Sequence, residues 1–212
     1  NFITLKATGD YQVDYGDGQG VQTYTSNVQA NYEIDWNNIS PSTLTDDGFR
    51  QAIITITPQS GSVLSTYTLY NLTHPNDSGV DYHFYVVDVK MAGQNFTSLT
   101  SCFQSSYGIE QFEYVGTAPL LTSLVYTFYI ASQLKKVISI PSSSVTSFNR
   151  TFRQTHQLLE VPKLDLSSAT NIGEMFYDSS QIEYLEPYDL DNEAPNLTSL
   201  SSTFRNARGL LN

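Results

Sequence analysis

The residues that most often carry catalysis are few and scattered in this chain of 212 residues. It has three histidines, His74, His83 and His156, and one cysteine, Cys102. The sequence contains no serine-nucleophile elbow (G-x-S-x-G), no zinc-protease motif (H-E-x-x-H) and no glycine-rich phosphate loop. Because the cysteine directly precedes Phe103 inside a repeated segment, a packing role is favoured for it over a nucleophile. We predict no catalytic residue, no cofactor and no enzymatic activity.

Two groups of carboxylates are candidates for binding calcium. Asp14 and Asp17 lie in the string VDYGDG, which lacks the ligand spacing of an EF-hand loop, so we expect them to accept backbone N–H bonds and hold a turn. Asp189, Asp191 and Glu193 have the higher charge density and are the calcium candidates. A solvated acidic loop is the interpretation we favour there, so we predict no metal site.

Asparagine-linked glycosylation has six candidate sequons, where chance predicts about three. They are Asn38, Asn71, Asn76, Asn95, Asn149 and Asn196. The repeat described below itself places Asn and Thr at two of them, Asn95 and Asn196. The excess matters only if the source is a eukaryote or a virus of one.

Charge and composition exclude several partners. The net charge is −11 and the one basic pair is Lys135-Lys136, so we expect no nucleic-acid partner. No apolar run approaches the roughly 18 residues of a membrane span, so we expect no membrane insertion. A single cysteine allows neither an internal disulfide nor a zinc site built on thiolates.

A repeat organises the second part of the chain. Similar strings occur as LTSLVYTF, VTSFNRTF and LTSLSSTF, each ending in a phenylalanine. Five such phenylalanines follow one another at separations of 25, 24, 24 and 28 residues: Phe103, Phe128, Phe152, Phe176 and Phe204. Four residues before each is another apolar residue: Leu99, Leu124, Phe148, Ile172 and Leu200. These ten residues are the predicted core of the repeat.

The spacing predicts the structure of one unit. Apolar residues seven, four and zero positions before the phenylalanine share one face of a helix, and the alternating residues that follow favour a short strand. A unit of this kind buries its apolar face only against its neighbours, so we expect an α/β solenoid with a continuous parallel sheet from about Phe84 onward. Four extra residues in the last interval place a surface loop at Pro187–Asn196.

The amino-terminal region predicts a different fold. The string YQVDYGDG alternates Tyr11, Val13 and Tyr15 with polar residues and then reaches glycines, as a strand entering a tight turn does. The stretches Arg50–Pro58 and Val63–Leu72 are further β-branched and aromatic strands. We expect a small all-β sandwich over residues 1–82 and the repeats over residues 83–212.

Three strings resemble known families. LKKVISIPSSSVTSFNRTFRQTHQL (Leu134–Leu158) resembles the BspA-type leucine-rich repeats of bacterial surface proteins, and ATNIGEMFYDSSQIEYL (Ala169–Leu185) resembles the related lipoprotein-type form. VDYGDG resembles the V-D-W-G-D-G signature of polycystic-kidney-disease (PKD) modules, with Tyr15 in place of the usual tryptophan. The resemblances imply a PKD-like β-sandwich followed by a leucine-rich-repeat solenoid of about five units.

This combination of modules is similar to the distal parts of phage tail fibres and appendages. It implies a non-enzymatic virion module for host-surface recognition or fibre assembly, whose partners are a host glycan or protein, copies of itself or neighbouring virion proteins. The alternatives are a bacterial cell-surface adhesin and a carbohydrate-binding segment of a secreted enzyme. Because the fifth unit stops where its strand should begin, we also expect the chain to continue beyond Asn212 or another subunit to cover that end.

Overall fold

The structure is a computed structural model that describes residues 2–39, 51–70, 72 and 86–210. The chain divides into two compact units, one of Asn1–Tyr67 and Asn71–Tyr82, the other of Thr68–Tyr70 and His83–Asn212. The predicted boundary between residues 82 and 83 lies outside the described residues. Within the described ranges, no helix has the length and apolar character needed to cross a bilayer.

Six short strands form two sheets in the amino-terminal part. They are β1 (Phe2–Thr8), β2 (Tyr11–Asp14), β3 (Gln22–Tyr24), β4 (Ala30–Glu33), β5 (Thr55–Pro58) and β6 (Thr66–Thr68). One sheet has the order β4-β1-β6 and the other β3-β2-β5, and the pairs β1–β4, β2–β3 and β2–β5 are antiparallel. These two small sheets are the sandwich-like part of the predicted fold, although β5 and β6 are shorter than the strands expected there.

Strand β2 and its turn follow the sequence prediction. Tyr11, Val13 and Tyr15 are fully buried, whereas Asp14 between them is exposed, which confirms the predicted alternation. The chain then turns through Gly16, whose φ of 70° lies in the left-handed region that glycine adopts without strain.

Asp17 is a buried carboxylate that holds this turn. It accepts hydrogen bonds from the Asp35 N–H (3.1 Å), the Tyr32 hydroxyl (2.9 Å) and the Gln19 N–H (3.2 Å). Asp14 likewise accepts from the Gly16 N–H at 2.9 Å. Burial alone would raise the pKa of Asp17, but these hydrogen bonds outweigh it and lower the pKa below its usual value. The predicted structural role of both aspartates is confirmed.

The second part is organised around a parallel sheet. Its strands are β7 (Asp88–Ala92), β8 (Gln111–Val115) and β9 (Lys136–Ser139), in that order and in parallel pairs. The predicted start of the repeats, near Phe84, lies outside the described residues. Single parallel bridges continue the sheet from Lys136 to Glu160 and from Glu160 to Tyr184.

A second parallel ladder lies five residues before each phenylalanine. It consists of single bridges through Ser98, Ser123, Ser147, Asn171 and Ser199. Threonines occupy the preceding position in all five units: Thr97, Thr122, Thr146, Thr170 and Thr198. Each of the last four donates its hydroxyl to the carbonyl of the threonine one unit earlier, at 3.0–3.2 Å. Consecutive units are therefore stacked in register on both sides of the core.

The repeated phenylalanines form one column of rings. Neighbouring centroids are 5.4–5.8 Å apart, and neighbouring planes differ by 5–11°. The separation exceeds the roughly 4.7–4.9 Å between paired strands, so the parallel rings are offset from one another, an arrangement that aromatic pairs prefer. Four of the rings are fully buried, and Phe204 at the end of the column is 48% exposed.

The segment before each ring is a series of turns and not the predicted helix. The Thr127 N–H donates to the Leu124 carbonyl three residues back (3.1 Å), but the next N–H, of Phe128, donates to Thr151 in the following unit (2.9 Å). This alternation depends on left-handed residues two positions before and two positions after each phenylalanine. They are Ser101, Ser105, Tyr126, Ile130, Arg150, Gln154, Glu174, Asp178, Ser202 and Asn206, with φ of 54–61°. A continuous α-helix excludes that conformation.

The predicted α/β leucine-rich-repeat solenoid is therefore wrong. Small parallel and antiparallel sheets dominate the described residues, and their one helix, α1 (Leu190–Glu193), has four residues and buries none of them. It lies in the Pro187–Asn196 segment that was predicted to be a surface loop. Half of the main-chain hydrogen bonds that a helix would make within each unit are made instead to the next unit.

Candidate recognition surface

The turns carry a surface of tyrosines and charged residues, which we call the turn face. Its side chains come from the positions two before and one after each phenylalanine in the second to fifth units. Seven of these eight positions, all but Ser202, carry the large side chains that form it: Tyr126, Tyr129, Arg150, Arg153, Glu174, Tyr177 and Arg205. Because the units stack in register, residues at one position form a column in which each side chain meets its counterpart in the next unit.

Guanidinium groups and tyrosine rings alternate along the column one position after the phenylalanines. The guanidinium carbon of Arg153 lies 5.5 Å from the ring centroid of Tyr129 and 4.6 Å from that of Tyr177. Arg205 follows, with its guanidinium 5.4 Å from the same Tyr177 ring. A cation over an aromatic face is attracted by the ring quadrupole, so these contacts fix the arginine side chains in place.

The neighbouring column supplies a carboxylate that joins two arginines. Glu174 binds Arg150 at 2.8 Å and Arg153 at 2.6 Å through its two carboxylate oxygens. All three side chains are only 22–31% exposed, so solvent screens the pairs less than it does fully exposed ones. The Arg150 hydrogen bond lowers the pKa of the Glu174 carboxyl, and the same bond raises the pKa of Arg150.

Arg150 is also held by an aromatic residue. It donates to the Tyr126 hydroxyl, and its guanidinium lies 5.3 Å from the Tyr126 ring centroid. The Tyr126 ring meets that of Tyr129 edge to face at 5.4 Å, which links the two columns. The preceding unit carries Ser101 at this position, a side chain too small to cover a phenol ring. The turn face is therefore a pre-ordered, partly exposed surface.

Lysines and arginines are distributed differently. Each lysine from Lys90 to Lys163 is paired with one glutamate: Lys90 with Glu113, Lys135 with Glu110, Lys136 with Glu160 and Lys163 with Glu193, at 2.6–3.0 Å. On the turn face, two guanidinium groups share the single carboxylate of Glu174, and a third, of Arg205, stacks on Tyr177. Arg205 is exposed and makes no hydrogen bond or ion pair with a described side chain. The turn face thus has a local excess of positive charge in an acidic protein.

The strand side has a groove of different character. It has a volume of 560 Å³, and Lys136, Glu160, Glu183 and Tyr184 are among the residues that line it. Lys136 and Glu160 pair across it at 2.6 Å. The lysines of the groove are paired with glutamates that also line it. A charged ligand would therefore be attracted less strongly to the groove than to the turn face.

The ten predicted core residues divide into two groups. Eight are buried, at 0–3% exposure: Leu99, Phe103, Leu124, Phe128, Phe148, Phe152, Ile172 and Phe176. The other two, Leu200 (56%) and Phe204 (48%), lie in the fifth unit and are exposed on the described surface.

The calcium candidates use their oxygens within the chain. Glu193 binds Lys163 at 2.6 Å, and its other oxygen accepts the Asp189 N–H at 3.0 Å. Asp189 in turn accepts from Asn192 at 2.7 Å. Asp191 is exposed in α1. Among the described residues, no group of three or more His, Cys, Asp or Glu side chains has a geometry that would hold a metal ion.

The remaining candidates are dispersed. His156 is exposed, with Nδ1 3.0 Å from the Asp178 carbonyl, whereas His74 and His83 lie outside the described residues. Cys102 is fully buried, and burial raises the pKa of its thiol well above the usual value. Both observations fit packing or surface roles, and no acid–base partner accompanies either side chain in the described part of the chain.

The sequons also differ in their surroundings. Asn38, Asn95 and Asn196 are exposed. Asn149 is half-buried and donates its side-chain amide to the Gly173 carbonyl at 2.8 Å. The two others, Asn71 and Asn76, lie outside the described residues.

The turn face was not among the predicted sites, although the sequence carries a signal for it. Aligning the units on phenylalanine places Gln104, Tyr129, Arg153, Tyr177 and Arg205 in one column. That column alternates tyrosine with arginine in its last four members. In the predicted helix, the position after each phenylalanine would have been an ordinary exposed position, so only the apolar columns led to a prediction.

Comparison with known proteins finds no family model, no curated protein and no solved structure that matches this chain. The resemblances to BspA-type repeats, PKD modules and phage appendages remain predictions.

Proposed function

We propose that this chain is a non-enzymatic recognition module on the outside of a virion, in the distal part of a tail fibre or appendage, and that it binds the host surface. The modular resemblance described above motivates the virion setting. The turn face supplies the binding surface, because tyrosine and arginine are enriched where interfaces concentrate their binding energy.

One observation carries the proposal. Arg153 is held between the rings of Tyr129 and Tyr177 while it also binds Glu174. An arginine fixed on three sides loses little conformational freedom when a ligand docks, which favours binding. The cluster offers no general acid or base, because the arginine stays protonated and the carboxylate is engaged by two cations.

The test is direct binding to cells. The purified protein, fluorescently labelled, is incubated with a panel of Gram-negative and Gram-positive bacteria, and bound fluorescence is measured by flow cytometry. We expect saturable binding to a subset of strains, and a loss of at least about tenfold in affinity for the variant Tyr129→Ser/Arg153→Ser.

A matched variant on the strand side, Lys90→Ser/Lys136→Ser, removes two basic residues far from the turn face in the repeat register and should bind as the parent does. Circular dichroism and thermal unfolding establish that each variant is folded. Absence of binding to every strain, or equal binding by the two variants, would contradict the proposal.

A further inference from the structure

Resting on the proposed function, we propose that the turn face binds an acidic glycan, a saccharide chain that carries carboxylate or sulfate groups. The argument begins with charge. Arg150 and Arg153 share the Glu174 carboxylate, and Arg205 has no ion pair with a described side chain, so even with the Asp178 carboxylate nearby the face keeps one positive charge in excess. An anionic ligand complements this excess, whereas the paired lysines of the strand side have no such surplus.

The free hydrogen-bonding capacity lies at one end of the face. Arg205 is exposed, stacks on Tyr177 and forms no ion pair with a described residue. Arg208 is also exposed and unpaired among the described side chains. A guanidinium fork binds a carboxylate or sulfate through two parallel hydrogen bonds, so Arg205 provides the anion contact, and Arg208, three residues further along the chain, adds positive charge. The nearby Asp178 carboxylate is engaged by Asn206 at 2.7 Å.

The buried parts of the cluster point the same way. The Nε donors of Arg150 and Arg153 are buried and have no hydrogen-bond partner in the described part of the chain. These atoms are out of a ligand's reach, but the two guanidinium groups share one carboxylate, so the pair keeps a net positive charge that favours an anion at the surface above it.

The rings identify the rest of the ligand as a sugar. Tyr126 and Tyr129 are half-buried, and a tyrosine offers both an apolar ring and a hydroxyl, which match the C–H groups and the hydroxyls of a pyranose. The ring of Tyr177 lies between the guanidinium groups of Arg153 and Arg205 and holds the latter in place for the anion. A nucleic acid is disfavoured because it requires many phosphates to be neutralised, whereas this face has a surplus of one charge on a chain of net charge −11.

The test measures affinity by biolayer interferometry for four probes: oligo-alginate (carboxylated), dextran sulfate, neutral dextran of matched length and a short DNA duplex. We expect the two acidic glycans to bind at least about tenfold more tightly than neutral dextran. Raising the salt concentration should weaken both. The variant Arg205→Gln/Arg208→Gln should lose about tenfold or more.

The control Lys136→Gln/Lys163→Gln removes the same charge from other surfaces and should retain parental affinity. Equal binding of neutral dextran, equal or tighter binding of DNA, or equal losses in the two variants would overturn the inference. The cell-binding result is independent: binding to cells with no preference for acidic glycans would overturn the ligand class alone, whereas no binding to cells would overturn the proposed function.

Discussion

The rings of Phe152 and Phe176 lie 5.4 Å apart, centroid to centroid, and their planes differ by 9°. The two residues are 24 positions apart in the chain, which is one repeat unit. Their stacking therefore shows that neighbouring units are aligned residue for residue. Both are fully buried, and each ring contacts a ring above and a ring below. The core of the repeat is thus continuous through this column.

Phe152→Ala should lower the free energy of unfolding by about 3–5 kcal/mol, because it opens a cavity in the middle of the column. Urea denaturation followed by fluorescence measures the change. Phe204→Ala removes the same ring where it is 48% exposed and should cause less than half of that loss. Equal losses at the two positions would contradict a buried column.

Ile130 has a φ of 61°, a conformation that a β-branched residue adopts only under strain. Ile130→Asn should therefore raise the free energy of unfolding by roughly 0.5–1 kcal/mol, since asparagine tolerates the left-handed region. Gln154 has the equivalent position in the next unit, with a φ of 60°. Gln154→Ile introduces the strain and should be destabilising by about 1 kcal/mol. Thermal and urea unfolding would refute the assignment if both changes shifted stability in the same direction.

Asp17 should make stability depend on pH at acidic values. Its pKa is lower in the folded state than in the unfolded chain, so its contribution is fully present above the unfolded value of about 3.9 and is lost as the pH falls through the folded value. Asp17→Asn should be destabilising by about 1–3 kcal/mol at pH 7, because three donors lose a charged acceptor.

The difference in unfolding free energy between parent and Asp17→Asn should therefore shrink as the pH is lowered from 7 to 3. The exposed Asp14 provides the comparison, and Asp14→Asn should change stability less at pH 7. A difference between parent and Asp17→Asn that stays constant over this range would show that the carboxylate is not held as described.

Cys102 should be unreactive in the folded protein. Its side chain is fully buried, and burial raises the pKa of the thiol, so the reactive thiolate is scarce. Titration with Ellman's reagent should give no signal on the minute scale in buffer and one thiol per chain in 6 M guanidinium. Rapid reaction without denaturant would place the thiol at the surface.

The sequence predicted correctly how the repeat units align with one another, but it predicted a helix where the backbone forms turns. Phenylalanines at near-constant spacing identified which residues stack. A buried position that is filled by an aromatic ring has to carry an aromatic residue in every unit, so the pattern is visible in the sequence. The same apolar spacing of three and four residues fits both a helix and turns closed by hydrogen bonds three residues apart. Periodicity alone could not distinguish them.

The residues that decide between these alternatives carried no usual turn signal. Left-handed conformations favour glycine and asparagine, but here they occur at residues such as Tyr126, Ile130 and Arg150. Hydrogen bonds to the following unit offset this local strain, and such long-range compensation is invisible in a local string. The turn face was missed for the same reason, since its partners are 21 to 28 residues apart.

The units are held together by main-chain atoms, so the outward side chains of the turn face can change in evolution. Adjacent units are joined by backbone hydrogen bonds and by the phenylalanine column. The tyrosine and arginine positions contribute main-chain N–H and carbonyl groups to those bonds, which any residue but proline can supply, so their side chains are not required for them. Mutations at those positions can exchange one set of ligand contacts for another without dismantling the scaffold. Duplication of a single unit would lengthen the surface by one step of about 4.8 Å. Proteins with this repeat can therefore adapt to a changed ligand by altering a few outward residues or by adding a unit.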